Sequence, residues 1–165
     1  MAAMTSGHVD QLADEWEAAW SSGDARSFLA LCAPDLHYED PVTSAPLQGV
    51  AALSEHAERL WRAFPELHLE RAGERLSDGR FAALPVRVRG RNTGDLDGLP
   101  ASHREISVHA VFWCELDLGR TRMWRVRTVF DAYGAAVSLG LLPRPGSLRN
   151  RAILALQGYG IRLGG

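Results

Sequence analysis

The chain has 165 residues, a formal net charge of −2 and 46% hydrophobic residues. That length fits one domain with a full core, and so balanced a charge excludes the strongly basic face that nucleic-acid binding requires. The two cysteines, Cys32 and Cys114, are too few for a disulfide framework. Both sit in apolar patterns and read as buried free thiols in a reducing, cytoplasmic setting. Met1 to Gly7 carry no basic segment and no long apolar run, so neither a signal peptide nor a membrane span is expected.

In chain order, residues 1–7 are small and polar and are expected to fray. Val9, Leu12, Ala13, Trp16, Ala19 and Trp20 follow helical spacing, with Asp10, Asp14, Glu15 and Glu17 off that stripe. Ser22-Gly23-Asp24 ends this helix and caps a short second one over 25–32, with Phe28, Leu29 and Cys32 facing inward. Pro34-Asp35 reads as a turn. Leu36, Tyr38 and Asp40 then share one strand face. Pro41 cannot donate a ladder hydrogen bond and should end the strand. Pro46 and Gly49 steer the chain into a third helix, marked by Leu53, Ala57, Leu60, Trp61 and Phe64 and stopped by Pro65.

Helical periodicity then disappears. Residues 67–75 read as a strand, Ser77-Asp78-Gly79 as a hairpin turn, and 80–89 as the next strand, with Ala82, Leu84, Val86 and Val88 on one face. Pro85 within it argues for an edge or a bulge. Residues 90–104 form a loop rich in turn residues. Ile106, Val108, Ala110, Phe112, Cys114 and Leu116 mark one face of a long strand. In the last strand, 123–130, Trp124, Val126, Thr128 and Phe130 alternate with Arg125 and Arg127. A short helix over 132–139 should end at Gly140. After a rigid turn at Pro143-Arg144-Pro145-Gly146, Ser147 can cap a final helix over 148–157, followed by a glycine-rich end. This tail is expected to close a cavity mouth or cover a neighbouring subunit. Helices first, then consecutive strands with hairpin-length connections, predict an α+β domain with an antiparallel sheet.

The chemistry centres on Leu36 to Gly49. A carboxylate partly buried in an apolar pocket has its pKa raised, which suits proton abstraction, and Asp40 is placed for it. The alternative is that Asp40 forms an Asx-type turn with Thr43 or a backbone N–H. Among the histidines, His37 reads as solvated, His56 as a structural residue of the third helix, His68 as a possible cavity residue and His103 as surface. No two have metal-ligand spacing, so no metal site is expected. Arg87, Arg89 and Arg91 read as a solvated face or a dimer contact.

Four stretches carry a family resemblance: Leu36–Gly49; Phe64-Pro65-Glu66; Gly90-Arg91-Asn92-Thr93-Gly94 through Gly98-Leu99-Pro100-Ala101; and Val129-Phe130-Asp131 through Leu139-Gly140-Leu141-Leu142-Pro143. The chain resembles the SnoaL-like proteins of the nuclear transport factor two-like (cystatin-like) superfamily, which also holds ketosteroid isomerase, limonene-type epoxide hydrolases and scytalone dehydratase. The resemblance spans about 9–143 and leaves 144–165 as a C-terminal extension of one domain, 1–165. It implies a cone-shaped curved antiparallel sheet with N-terminal helices enclosing a deep apolar pocket, and frequent dimers. SnoaL-like chains commonly show Gly-Thr-His-Thr-Gly at the third stretch, where Arg91 and Asn92 replace Thr and His.

Glu39-Asp40-Pro41-Val42 looks like the segment holding the general base of ketosteroid isomerase, with Asp40 the matching residue. The isomerase tyrosine falls at Trp16 and its acid near Ala110. The acid and histidine of the cyclases fall at Thr128 and Phe112, while His109 lies on the opposite strand face. Asp131 reads as a helix cap. These departures argue against ketosteroid isomerisation itself. The resemblance implies cofactor-independent cyclase- or isomerase-type chemistry on a hydrophobic polyketide- or polycycle-like metabolite. Asp40 would move the proton, and Trp16 could donate to a developing oxyanion. Trp16, Tyr38, Trp61, Phe64, Phe112, Thr128 and Phe130 would bind substrate, with Trp20 and Trp124 as further lining or core residues. A homodimer is expected, with no cofactor, nucleic acid or membrane partner. Two alternatives stay open: epoxide hydrolysis or epoxide-opening cyclisation, which needs a second acid, and a non-catalytic ligand-binding or dimer-scaffold protein.

Overall fold

A computed structural model describes residues 2–156. Its first element, α1 (Ala2–Ser22), is longer than the apolar stripe predicts. Where fraying was expected the helix continues, with His8 Nε2 hydrogen-bonded to the Arg120 carbonyl at 3.0 Å. A 3₁₀ turn at Ala25–Ser27, capped by Asp24, leads into one turn of helix, α2 (Phe28–Leu31). So short a helix buries only Phe28 and Leu31, and Leu29 is exposed rather than inward. Cys32 already belongs to strand β1 (Cys32–Glu39). Pro34-Asp35 therefore lies inside a strand and not in a turn. The strand register shifts between Cys32 and His37, which accommodates a residue that cannot donate.

After β2 (Leu47–Gln48), α3 (Gly49–Ala63) starts at a glycine with φ +80°, a conformation that L side chains rarely adopt. It ends where Pro65 disfavours a helical Phe64. The strand expected over 67–75 ends early as β3 (His68–Arg71); a division separates it from β4 (Leu76–Ser77), which takes Ser77 from the expected turn, and both run antiparallel to β5 (Phe81–Arg91). Pro85 explains the division and why it needs neither an edge nor a bulge. It pairs opposite Val111 across the central ladder, and its carbonyl accepts from Ala72 N at 3.0 Å on the other side. Its missing N–H thus faces the gap between β3 and β4, and the β5–β6 ladder loses no donor. Strands β6 (Glu105–Leu116) and β7 (Met123–Phe130) complete a sheet ordered β2-β1-β7-β6-β5-β3, with β4 beside β5.

The sheet departs from the expected antiparallel pattern at one pair, because β1 runs parallel to β7. Hairpins set the direction of consecutive strands only, and no hairpin joins the first strand to the last. Helix α4 (Ala132–Ser138) is capped by Asp131, whose Oδ1 accepts from Gly134 N at 2.8 Å, and is followed by Gly140 at φ +77°. Ser147 precedes α5 (Leu148–Leu156), and its Oγ accepts from Asn150 N at 3.2 Å. The glycine-rich end expected after Gln157 lies outside the described residues.

The core is aromatic. Trp16 of α1 is fully enclosed by Trp20, Phe28, Tyr38 and Phe112, at ring distances of 5.5–6.5 Å. Trp61 of α3 stacks on Phe28 and donates its indole N–H to the Trp20 carbonyl at 2.9 Å. This packing fixes α1 and α3 against the inner sheet face. Both cysteines are buried free thiols: burial pushes Cys32 up to about 12 and Cys114 up as well. The loop after β5 is held by Asn92. Its Nδ2 donates to the Ala63 and Gly94 carbonyls at 3.2 and 2.8 Å, and its Oδ1 accepts from Ser102 N at 2.6 Å. Asn92→Ala removes all three partners from a buried site and should cost about 2–3 kcal/mol. Urea denaturation checks this, and a loss near zero would remove Asn92 as the staple of the loop.

Candidate active site

Strand β1 delivers Asp40 to its end, where Pro41 stops the ladder and the chain turns. Thr43 N donates to the Asp40 carbonyl at 3.2 Å, and Val42 N donates to Asp40 Oδ1 at 2.8 Å. One carboxylate oxygen thus builds an Asx turn. The other, Oδ2, accepts from Tyr38 Oη at 3.0 Å and from His56 Nε2 at 2.7 Å, while the residue as a whole lines the pocket. The turn and the pocket-lining group are the same residue. The side chains of Asp40 and His56 are each only 4% exposed.

His56 comes from α3, and a third layer fixes its protons. Arg59, one helical turn on, places Nη2 3.0 Å from His56 Nδ1. A guanidinium can only donate, so Nδ1 accepts and the ring proton sits on Nε2, directed at Asp40. Arg59 is anchored in turn by Asp97, with Nη1 at 3.0 and 3.1 Å from the two carboxylate oxygens. Asp97 belongs to the loop after β5 and adopts φ +51°.

This environment changes the expected chemistry of Asp40. Burial alone would raise its pKa. The hydrogen bonds from His56, the Val42 N–H and the Tyr38 hydroxyl together outweigh burial and hold the carboxyl below its usual value of 3.8. Asp40 is therefore an anion at neutral pH, not the raised-pKa carboxyl expected from burial. Tyr38 moves the other way: burial, then the Asp40 charge, push its phenol well above the ordinary range, so it remains a donor.

Tyr38, Asp40, Phe64, Phe112, Thr128 and Phe130 all line one pocket of about 790 Å³, measured out to its open mouth. Most of the wall is apolar, with Leu96 from the loop after β5 and Leu139 following α4 among its members. Thr128 Oγ1 lies 3.2 Å from Tyr38 Oη, which joins β7 to the same polar cluster. Trp20 also lines the pocket, whereas Trp16 and Trp61 lie outside its lining. They occupy the layer behind it, because their helix positions face Phe28 and the other indoles. Trp124 lies outside the lining too: it packs on His37 and donates to Asp35 Oδ2 at 3.0 Å. His68 and His109 are exposed, and His68 is no cavity residue. His56, read from the sequence as structural only, is the partner of Asp40. Its spacing from Leu53 and Leu60 puts it on the buried stripe of α3, a signal that was available. Nothing local in the sequence joins Arg59 to Asp97.

Residues 10–136 match the family of SnoaL-like polyketide cyclases. The chain belongs to that family. Its fold is shared by TsrD from Streptomyces laurentii, at 24% identity over 82% of this chain and 97% of that one, with a TM-score of 0.72. AclR, a proposed hydroxylase from Streptomyces galilaeus, matches at 19% identity over 96% and 95% of the two chains, with a TM-score of 0.69. IdmH, a proposed polyketide cyclase from Streptomyces antibioticus, matches at 19% identity over 79% and 97%, with a TM-score of 0.67. At these identities the likeness speaks for the fold alone. No curated protein sequence matches the chain significantly. Among the described residues no helix is long and apolar enough to cross a membrane, and no three metal-ligating side chains converge.

A carboxyl whose folded pKa is depressed contributes stability that is complete above its unfolded value and is lost as pH falls through the folded value. Asp40→Asn should therefore be less stable than the parent protein at neutral pH, with the difference shrinking as pH falls below 3.8. Urea titrations at neutral and acid pH read this. A difference independent of pH would show that Asp40 is not held as a low-pKa anion.

Proposed function

We propose that this SnoaL-like protein catalyses cofactor-independent proton transfer, of cyclase or isomerase type, on a hydrophobic polyketide- or polycycle-like metabolite, with Asp40 moving the proton. The observation that carries this reading is a single carboxylate in the wall of a mostly apolar pocket. Epoxide opening needs a second acid facing the first, and the matching strand position carries Thr128.

The hydrogen-bond pattern of Asp40 supports a choice of the atom that would receive the proton. A carboxylate offers about four acceptor sites. Oδ2 has two donors, His56 and Tyr38, and Oδ1 has one, Val42 N–H, so the open site is on Oδ1. A carboxylate of lowered pKa is a modest base. It matches a substrate proton already made acidic by neighbouring carbonyl groups. Oδ1 takes that proton and the substrate keeps the electron pair, as an enolate that can attack a carbonyl carbon. The protonated Asp40 then donates to the charge left behind and returns the proton to the new alkoxide.

Asp40→Asn keeps the shape and removes the base. Against a panel of hydrophobic ketones, epoxides and polyketide-like compounds, binding should persist while turnover falls by about 10²-fold or more. Undiminished turnover would remove Asp40 from the chemistry. Binding to both forms with turnover by neither would favour the carrier alternative.

A homodimer is part of this proposal. On the outer sheet face Trp113 is 57% exposed and Val129 51% exposed, with Val111 paired opposite Val129. Arg125, Arg127, Glu39 and Arg87 surround this strip with charges of both signs, which two-fold-related copies can match. Trp113→Glu should convert the dimer to a monomer in size-exclusion chromatography with light scattering, and an unchanged mass would place the contact elsewhere.

A further inference from the structure

We propose that Arg59, from outside the pocket, aims the His56 proton at Asp40, and that the polar cluster ordered around Asp40 selects an apolar ligand carrying a hydroxyl or enol O–H. The inference rests on the reading of this pocket as the substrate site. It adds which side of the hydrogen bond the substrate must supply.

The direction follows link by link. Arg59 has donors only, so His56 accepts at Nδ1 and donates from Nε2 to Asp40. Asp40 is ionised and can only accept, so Tyr38 spends its single proton on Asp40 Oδ2. With that proton committed, the 3.2 Å contact between Thr128 and Tyr38 can form only if Thr128 donates. Both hydroxyl protons are then used inside the wall. What remains is acceptor capacity, on Thr128 Oγ1, Tyr38 Oη and Asp40 Oδ1, whose residues all line the pocket. The lining contributes one unspent donor, the Trp20 indole N–H, and that atom is buried without a partner.

Apart from that enclosed indole, the cluster of Tyr38, Asp40 and Thr128 offers acceptors alone, and such a cluster discriminates sharply. A ligand O–H gains a charge-assisted hydrogen bond on Asp40 Oδ1. A ligand that offers only ether or carbonyl oxygen sets lone pairs against lone pairs in an apolar pocket, where an unmatched polar group is costly. Arg59 thus acts through His56 and is a positioning residue. Asp97 holds it there from the loop that also supplies Leu96 to the wall.

The test uses the full chain and two probes of similar shape, 2-naphthol and 2-methoxynaphthalene, titrated by calorimetry, together with the ¹⁵N spectrum of the His56 ring. Naphthol should bind about 10-fold or more tightly than the ether, on the scale of one hydrogen bond to a charged group. The spectrum should show one proton, on Nε2. In Arg59→Met the ring is freed at Nδ1, the single Nε2–H pattern should give way to mixed tautomers, and the preference for naphthol should shrink. Equal or tighter binding of the ether overturns the polarity inference while leaving the pocket as a ligand site. A proton on Nδ1 in the unmodified protein overturns it whatever binds, as does an unchanged ring spectrum in Arg59→Met. Failure of both probes to bind overturns the ligand selection together with the pocket reading.

Discussion

Burying the negative charge of Asp40 is the constraint on which the site depends. An unpaired carboxylate in an apolar wall would cost several kcal/mol or would protonate. Three donors from three places prevent that: the turn backbone at Val42, the phenol of Tyr38 two residues earlier, and the imidazole of His56 on α3. Each donor needs its own element in register. Pro41 must end β1 at the right residue, and α3 must lie at the right depth. The aromatic layer of Trp16, Trp20, Phe28 and Trp61 sets that depth, since it packs α1 and α3 together and onto the sheet. The core thus contributes to the ionisation of one side chain as well as to stability.

A second buried charge shows the same logic used for structure alone. The Arg75 side chain is 4% exposed and meets Asp14 at 2.6 Å, Glu17 at 2.7 Å and the Asp10 carbonyl at 3.0 Å. It ties the connection between β3 and β4 to α1. Arg75 lies outside the lining of the pocket that holds Asp40, and its carboxylates serve the packing of a helix. The contrast with Asp40 lies in the donors. Arg75 is a cation neutralised by anions, whereas Asp40 remains an anion surrounded by groups that donate without cancelling its charge.

Much of this was legible in the sequence because it is local. Alternation placed Ala110, Phe112 and Cys114 on the inner face of β6, and the stripe of α3 predicted Leu53, Ala57 and Trp61 inside. The end of β1 at Pro41 followed from a missing N–H. Three things were not legible, each for a physical reason. The parallel pairing of β1 with β7 joins strands that no short turn links. The Asp40–His56 contact joins a strand end to a helix, and a histidine on an apolar stripe reads equally well as core. The lowered pKa of Asp40 follows from those contacts, and burial alone points the other way. Asn92 shows a fourth case. The family resemblance marks its position as one where relatives commonly carry histidine, yet here its amide staples the loop.

That staple bears on the chemistry. The loop after β5 carries Leu96, which lines the pocket, and Asp97, which grips Arg59 at a backbone conformation unusual for a non-glycine residue. Asn92 and the Asp97–Arg59 contact fix the loop at its base and its tip. The same loop therefore shapes the apolar wall and, through Arg59, keeps the His56 donor aimed at Asp40. A protein that only enclosed an apolar ligand would need the first of these functions. The second matters where the protonation of one carboxylate must be controlled, which is what the proposed proton transfer at Asp40 would require.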